Sequence, residues 1–115
     1  MPKRAVTKVI PNRIPPLKEA QVVELAEILR LLSEASRLRI LLACIDKPAS
    51  VGEIARRVDI SRSLVSHHLR LLKASRFLSS TRKGKQIIYS PVGDNVRCIL
   101  ADLAGHIIAS TSGDD

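Results

Sequence analysis

Aromatic residues are almost missing from this chain, which has one phenylalanine, one tyrosine and no tryptophan among 115 residues. Proteins that hold single-stranded nucleic acid stack its bases on aromatic side chains, so this composition disfavours that mode of binding. The two cysteines, Cys44 and Cys98, are too few for a disulfide framework. No apolar run approaches the roughly 18 residues of a membrane-spanning helix, and the basic N-terminus lacks the apolar stretch of a signal peptide. We therefore expect a cytoplasmic chain with reduced thiols and no membrane partner.

Acidic residues are missing from two long segments, which gives the chain an uneven distribution of charge. The formal net charge is +8 at pH 7. Residues 1–18 contain five lysines or arginines and no acid, and residues 60–93 contain seven and again no acid. Residues 19–59 contain acids and bases in similar number, and residues 94–115 are acidic on balance. Positive charge concentrated in this way favours a polyanionic partner, either nucleic acid or an anionic membrane surface.

The length corresponds to one domain, for which the sequence predicts three parts. Four prolines exclude a continuous helix from residues 1–16, which we interpret as a flexible basic tail. Residues 17–109 form the folded domain. The polar residues 110–115 are predicted to be a disordered C-terminal end.

Apolar spacing and helix caps predict four helices in the first two thirds of the domain. Apolar residues recur at three- and four-residue steps from Leu17 to Leu32. Ser36 is positioned to cap a second helix, which ends before Pro48. Ser50 and Glu53 have the spacing of a capping box and predict a short third helix. Ser61 is positioned to cap a fourth helix, over about residues 62–74.

After Ser75 the pattern changes from helical to alternating. Residues 77–82 and 86–90 read as two strands joined by a turn at Gly84, and a last amphipathic helix follows over about 96–108. The predicted fold is mainly α with a small β-hairpin, in the order α-α-α-α-β-β-α. Two short helices, the second of them basic, followed by a cationic hairpin are typical of a winged helix-turn-helix.

The fourth helix is predicted to have one apolar and one polar side. Leu64, Val65, Leu69 and Leu72 are expected to face inward, with His68 at the edge of the core. Serine, histidine and arginine side chains on the opposite side are able to hydrogen-bond to base edges in the major groove, and the hairpin adds cations for phosphates. The candidate DNA-binding residues are Ser61, Arg62, Ser63, Ser66, His67, Arg70, Arg82, Lys83 and Lys85.

Several stretches resemble the ArsR/SmtB family of bacterial transcriptional repressors. They are Ser36-Arg37-Leu38-Arg39-Ile40-Leu41, Val51-Gly52-Glu53-Ile54-Ala55, Ile60 to Leu72 and Gly84-Lys85-Gln86-Ile87-Ile88-Tyr89. The most specific piece is Ser63-Leu64-Val65-Ser66-His67-His68-Leu69. The resemblance spans roughly residues 25–106. It implies a homodimer that occupies an operator in double-stranded DNA and is released by an inducer. It also implies that Arg62, Ser63, Ser66 and His67 read bases, while Arg82 and Lys85 lie in the wing.

A homodimer is also expected from the size of the chain. A domain this small buries a limited fraction of its surface, and its first and last helices are both richly apolar. Pairing these two helices across a two-fold axis would bury them. It would also place two recognition helices about one turn of DNA apart.

Metal sites of the resembled family are largely missing here, so we predict no cofactor and leave a metal inducer open. The family's thiolate motif, Glu-Leu-Cys-Val-Cys-Asp-Leu, corresponds to residues 48–54, where Ser50 and Gly52 replace both cysteines. At its Asp/His site only His106 matches a ligand; Gly93, Asn95 and Ala109 fall at the other three positions. His106 is thus the one weak metal candidate, unless Asp94 substitutes with a shift of one residue.

The two cysteines allow two main interpretations, besides a metal site built from Cys98, His106 and a residue of a partner chain. Cys44 and Cys98 are either small buried apolar residues or a candidate thiol switch that senses oxidants or sulfur species. The resemblance supports a switch only loosely, because the family members that have such a switch carry its cysteines at other positions on these helices.

Three functions remain open from the sequence. The first is a sequence-specific repressor, the second a nonspecific architectural DNA-binding protein, and the third a winged helix that binds another protein. No carboxylate pair, phosphate-binding glycine loop or Ser-His-Asp order is present, so we predict no enzyme and no catalytic residues.

Overall fold

The computed structural model describes residues 13–113, and these form five helices and one two-stranded antiparallel sheet. The helices are α1 (Glu19–Leu32), α2 (Ala35–Ile45), α3 (Val51–Val58), α4 (Arg62–Ala74) and α5 (Asn95–Gly113), and the strands are β1 (Leu78–Lys83) and β2 (Gln86–Pro91). This order confirms the predicted fold class, a helix-turn-helix formed by α3 and α4 followed by a β-hairpin wing.

The helix caps explain where α3 and α4 begin. The Ser50 hydroxyl accepts a hydrogen bond from the Glu53 amide, and the Glu53 carboxylate accepts one from the Ser50 amide, which completes the predicted capping box. Ser61 caps α4 by accepting from the Leu64 amide. Between the two helices Asp59 adopts a left-handed conformation with φ of 57°. The turn is therefore only three residues long and fixes how α4 leaves α3.

The cap of α2 differs from the prediction. Glu34, and not Ser36, closes the N-terminus of this helix, because its carboxylate accepts a hydrogen bond of 2.7 Å from the Arg37 amide. The Arg37 guanidinium donates in turn to the Leu31 carbonyl at 2.8 Å, which joins the end of α1 to the start of α2.

The core is small and is shared by α2, α3, α4 and the start of β1. Its fully buried side chains are Ile40, Leu41, Cys44, Ile54, Val65, Leu69, Leu72 and Leu78. Because one cluster takes side chains from all four elements, moving one of them relative to another would open a cavity. The core therefore fixes the position of α4 relative to α3 and to the wing.

The wing is attached to the helix-turn-helix by its own backbone hydrogen bonds. Its strands pair from Leu78 opposite Pro91 to Lys83 opposite Gln86, and Gly84 in the turn has φ of 63°. Ala49 and Tyr89 form an isolated antiparallel bridge with hydrogen bonds of 2.8 and 3.2 Å. This bridge connects β2 to the segment that precedes α3, so the hairpin cannot swing freely.

Two expectations from the sequence require correction. Leu64 does not face inward: its side chain is 43% exposed, because the buried stripe of α4 follows Val65, His68, Leu69 and Leu72, and Leu64 lies on the first turn beside it. The last helix continues to Gly113, so residues 110–113 are helical and not disordered. Thr111 is accommodated there because its hydroxyl donates to the Ile107 carbonyl at 2.9 Å.

The first helix begins at Glu19, two residues after the predicted boundary. Residues 1–12 of the predicted tail and residues 114–115 lie outside the described residues.

Two of the leucines of α4, Leu64 and Leu69, give a matched test of the packing. Leu69→Ala is expected to lower the free energy of unfolding by about 2–5 kcal/mol, because it leaves a cavity in the core. Leu64→Ala is expected to cost less than about 1 kcal/mol, because that side chain is already half in solvent. Urea denaturation followed by circular dichroism measures both values. Equal losses would contradict the placement of Leu64 outside the core.

Candidate nucleic-acid interface

The outer side of α4 presents polar side chains, as the sequence predicted. Core packing on its inner side holds the helix on the surface of the domain and turns this polar side outward. Arg62, Ser63, His67 and Arg70 are exposed, and Ser66 is half-buried. Ser61 is also exposed, although its hydroxyl already caps the helix. The structure thus places the α4 candidates along one exposed side of one helix.

The two adjacent histidines have different environments. His67 is exposed, whereas His68 points into the core and is 5% exposed. Burial lowers the pKa of His68, as do Arg37 and His67, while Glu34, 4.0 Å from its Nε2 atom, acts in the opposite direction. A lowered pKa keeps the His68 ring neutral at pH 7. His67 is therefore the histidine of the pair that is available to a partner.

The wing adds cations at the far end of the hairpin. Arg82, Lys83 and Lys85 are all exposed around the turn at Gly84. Among residues 13–113 the one ion pair joins Arg97 to Asp46, and the neutral His68 ring lies 4.0 Å from Glu34, so no wing cation takes part in either contact. The wing cations are thus not neutralised by the described part of the chain.

A cleft of about 300 Å³ lies where α3, α4 and the wing meet. Arg62 and Lys85 line it, and so does Arg56, which the sequence analysis missed. The Arg62 guanidinium lies against Gly52: a Cβ atom built on this glycine would be 3.4 Å from the guanidinium carbon. Arg56 follows Gly52 by four residues, so helical spacing alone was sufficient to place both on one face of α3.

The cysteines have contrasting surroundings. Cys44 is fully buried, and its thiol donates to the carbonyls of Ile40 and Leu41 at 3.4 and 3.6 Å. Burial raises the pKa of the Cys44 thiol to about 11. Cys98 is half-buried on α5. Because the thiolate is the reactive form, the environment of Cys44 disfavours a thiol switch that depends on it.

The described residues contain no cluster that resembles a metal site. Within residues 13–113, no three side chains of the His, Cys, Asp and Glu types come together around a point where a metal ion would bind. The weak candidate His106 lies exposed on α5. Over the same part of the chain, no helix combines the length and apolarity needed to cross a membrane.

Comparisons with known proteins decide the family. A family model described as a helix-turn-helix domain matches residues 31–81. The chain is 33% identical to the HTH-type transcriptional regulator KmtR of Mycobacterium tuberculosis over 87 residues, which cover 76% of this chain and 67% of KmtR. It is 31% identical to the transcriptional repressor SmtB homolog of Synechocystis, over 76% of this chain and 66% of that protein. The chain belongs to the ArsR/SmtB family. It is thus a DNA-binding transcriptional regulator, as its relatives are.

Solved structures agree with this assignment. NolR from Sinorhizobium fredii superposes with a TM-score of 0.67 at 32% identity, over 80% of this chain and 95% of NolR. Mb0332 from Mycobacterium bovis, a homodimeric winged helix-turn-helix DNA-binding domain of a possible ArsR-family regulator, superposes with a TM-score of 0.66. At 21% identity, over 84% of this chain and 91% of that fragment, Mb0332 shows the fold alone. The predicted ArsR/SmtB winged fold is confirmed.

Cysteine reactivity checks the interpretation of Cys44. In a Cys98→Ser variant at pH 8, a pKa of about 11 leaves roughly one Cys44 thiol in a thousand as thiolate, in addition to the steric protection of the core. We expect modification by a chromogenic disulfide reagent to be at least ~100-fold slower in the native protein than in urea. Rapid modification of the native variant would show that Cys44 is accessible and would restore the thiol switch.

Proposed function

We propose that this ArsR/SmtB-type regulator is a repressor that binds a palindromic operator as a homodimer and is released by an inducer. The observation that carries the proposal is the outward polar side of α4, held by the core next to a cationic wing. Short polar side chains at the major groove and cations on both flanks are what specific recognition of double-stranded DNA requires.

The contacts are assigned by the chemistry and position of each side chain. Ser63, Ser66 and His67 are proposed to contact base edges, because they are short or planar groups on the outward side of the recognition helix. Ser61 and Arg70, near the ends of that side, are proposed to contact phosphates. Arg82, Lys83 and Lys85 are proposed to bind the neighbouring backbone or minor groove, where they would add salt-dependent affinity.

The proposed dimer is supported by apolar surface that one chain leaves uncovered. Four large side chains on α5 are 54 to 64% exposed, and four on α1 are 43 to 58% exposed. They are Ile99, Leu103, Ile107 and Ile108 on α5, and Val22, Val23, Leu25 and Leu29 on α1. A cavity of about 100 Å³, lined by apolar residues, lies between the two helices. Patches of this kind mark association surfaces, and the related fold of Mb0332 is homodimeric.

We propose no resident cofactor, no enzymatic activity and a cytoplasmic location, in keeping with the regulators that the chain resembles. A metal inducer, if used, would need ligands from both protomers, because the described residues of one chain bring no three suitable side chains together. A redox inducer would have to act through Cys98, since Cys44 is buried with a raised pKa.

His67 tests the proposed readout. Selection from random duplexes, together with DNA upstream of the gene, supplies an operator, and fluorescence anisotropy compares it with a scrambled duplex. His67→Ala is expected to weaken operator binding by about tenfold, the typical cost of removing one base contact, and to leave the scrambled duplex unchanged. An equal decrease on both duplexes would make His67 a phosphate contact. Equal affinity of the unmodified protein for both would favour an architectural DNA-binding protein over a repressor.

Leu103 tests the dimer. Leu103→Glu places a charge in the apolar stripe of α5, so we expect sedimentation to show a shift from dimer to monomer and operator affinity to fall by at least tenfold. The matched control is Ala109→Glu, which adds the same charge to an exposed position on another side of α5. A Leu103→Glu protein that stays dimeric would place the interface elsewhere.

A further inference from the structure

The cleft between α3, α4 and the wing brings together positive charges from three parts of the fold. Arg56 comes from α3, Arg62 from the first turn of α4 and Lys85 from the hairpin turn. Ser50, Gln86 and Tyr89 add polar groups to its lining. Three cations around a cleft of about 300 Å³ produce a local positive potential that an anion would relieve.

The Arg62 guanidinium rests against Gly52 of α3. All three terminal guanidinium atoms lie 3.4 to 3.5 Å from the point where a Cβ of Gly52 would stand. A longer side chain at residue 52 would occupy the space in which the guanidinium rests. Gly52 thus leaves room for the exposed Arg62 side chain to rest against α3 at the edge of the cleft.

Two of the three cleft cations, Arg62 and Lys85, lack a counter-charge in the described part of the chain. Within residues 13–113, the side chains of Arg62 and Lys85 form no ion pair or hydrogen bond. The nearby carboxylate of Glu53 is already bonded to the Ser50 amide, and Arg56 and Arg57 help to lower its pKa. The capping box already uses the Ser50 and Glu53 amides at the start of α3, so the charge available to an anion in the cleft comes from the three side chains.

We propose that this cleft binds a phosphate-type anion through Arg56, Arg62 and Lys85, and that Arg62 is a phosphate contact and not a base-reading residue. Guanidinium and ammonium groups are the usual ligands of phosphate in proteins. The anion has two sources, a phosphate of the DNA backbone or a free phosphate compound that would compete with DNA. The first source rests on the proposed function, whereas the second does not.

The first experiment omits DNA. Inorganic pyrophosphate is titrated into the full-length protein at constant ionic strength, and amide chemical shifts are followed by NMR. We expect saturable shifts at Gly52, Arg62 and Lys85, and their disappearance in Arg62→Ala. The control is Arg39→Ala, which removes an equal charge from an exposed position on α2 and should leave the shifts unchanged. This experiment gives an answer even if the protein binds no DNA.

The second experiment measures DNA affinity against salt concentration for the operator and the scrambled duplex. Arg62→Ala is expected to weaken both by the same factor and to make the slope of log affinity against log salt less negative by about 0.9 for each phosphate that the side chain had neutralised. Arg62→Lys should retain most of the affinity and the slope, because an ammonium still binds phosphate but cannot reproduce a bidentate base contact.

The outcomes separate the sources and the failures. A changed salt slope assigns the cleft to a backbone phosphate, whereas saturable pyrophosphate shifts with an unchanged salt slope assign it to a free anion; either supports the proposal. A decrease in operator affinity alone would make Arg62 a base reader and overturn it. If neither effect is seen, the cleft holds no anion. That result would overturn this proposal and would leave the proposed repressor function unaffected.

Discussion

Packing of the inner side of α4 onto α2 and α3 is the interaction on which the functional surface depends. Val65, Leu69 and Leu72 are fully buried there, against Ile54 of α3 and Ile40 of α2. The hydrogen bond from the Phe77 amide to the Leu72 carbonyl, 2.9 Å long, then carries this fixed position into the first strand of the wing. The helix α4 and the wing are therefore oriented by the same few buried apolar side chains.

The small size of that core has a second effect. It cannot cover the apolar sides of α1 and α5, so these remain on the surface of a single chain. Positive charge is concentrated on other elements, because the acid-free segment of residues 60–93 forms α4 and the wing. One molecule thus has an apolar region suited to another copy and a cationic region suited to nucleic acid. Folding separates the two kinds of surface by assigning them to different elements.

Local sequence signals made most of the fold predictable, but they did not predict the exact placement of individual side chains. The capping box at Ser50 and the turn at Gly84 depend on neighbouring residues alone, so the sequence was sufficient for both. Leu64 was misplaced because apolarity and period do not show where the core ends on the first turn of a helix. The end of α5 was misplaced because polar side chains such as Thr111 bond back to their own helix.

The candidate site was predictable as a surface but not as a set of contacts. Exposure of the polar side of α4 follows from its period, and the wing cations follow from the hairpin. The approach of Arg62 to Gly52 depends on the angle between two helices, which no local pattern contains. The raised pKa of Cys44 was likewise not predictable from a local pattern, because it arises from burial of the thiol in the folded core.

The attachment of α5 to the rest of the domain has a mechanical consequence. Val96 is buried, and the Arg97 guanidinium binds the Ile45 carbonyl and the Asp46 carboxylate at the end of α2, whereas residues 101–111 are exposed. A helix of 19 residues is about 28 Å long, so most of α5 extends away from the end that is attached to the domain. A tilt of about 5° at this joint would move the far end by roughly 2.5 Å. A small tilt near Arg97 therefore becomes a displacement of a few ångström at the exposed end of α5, which is part of the surface that the proposed dimer would cover.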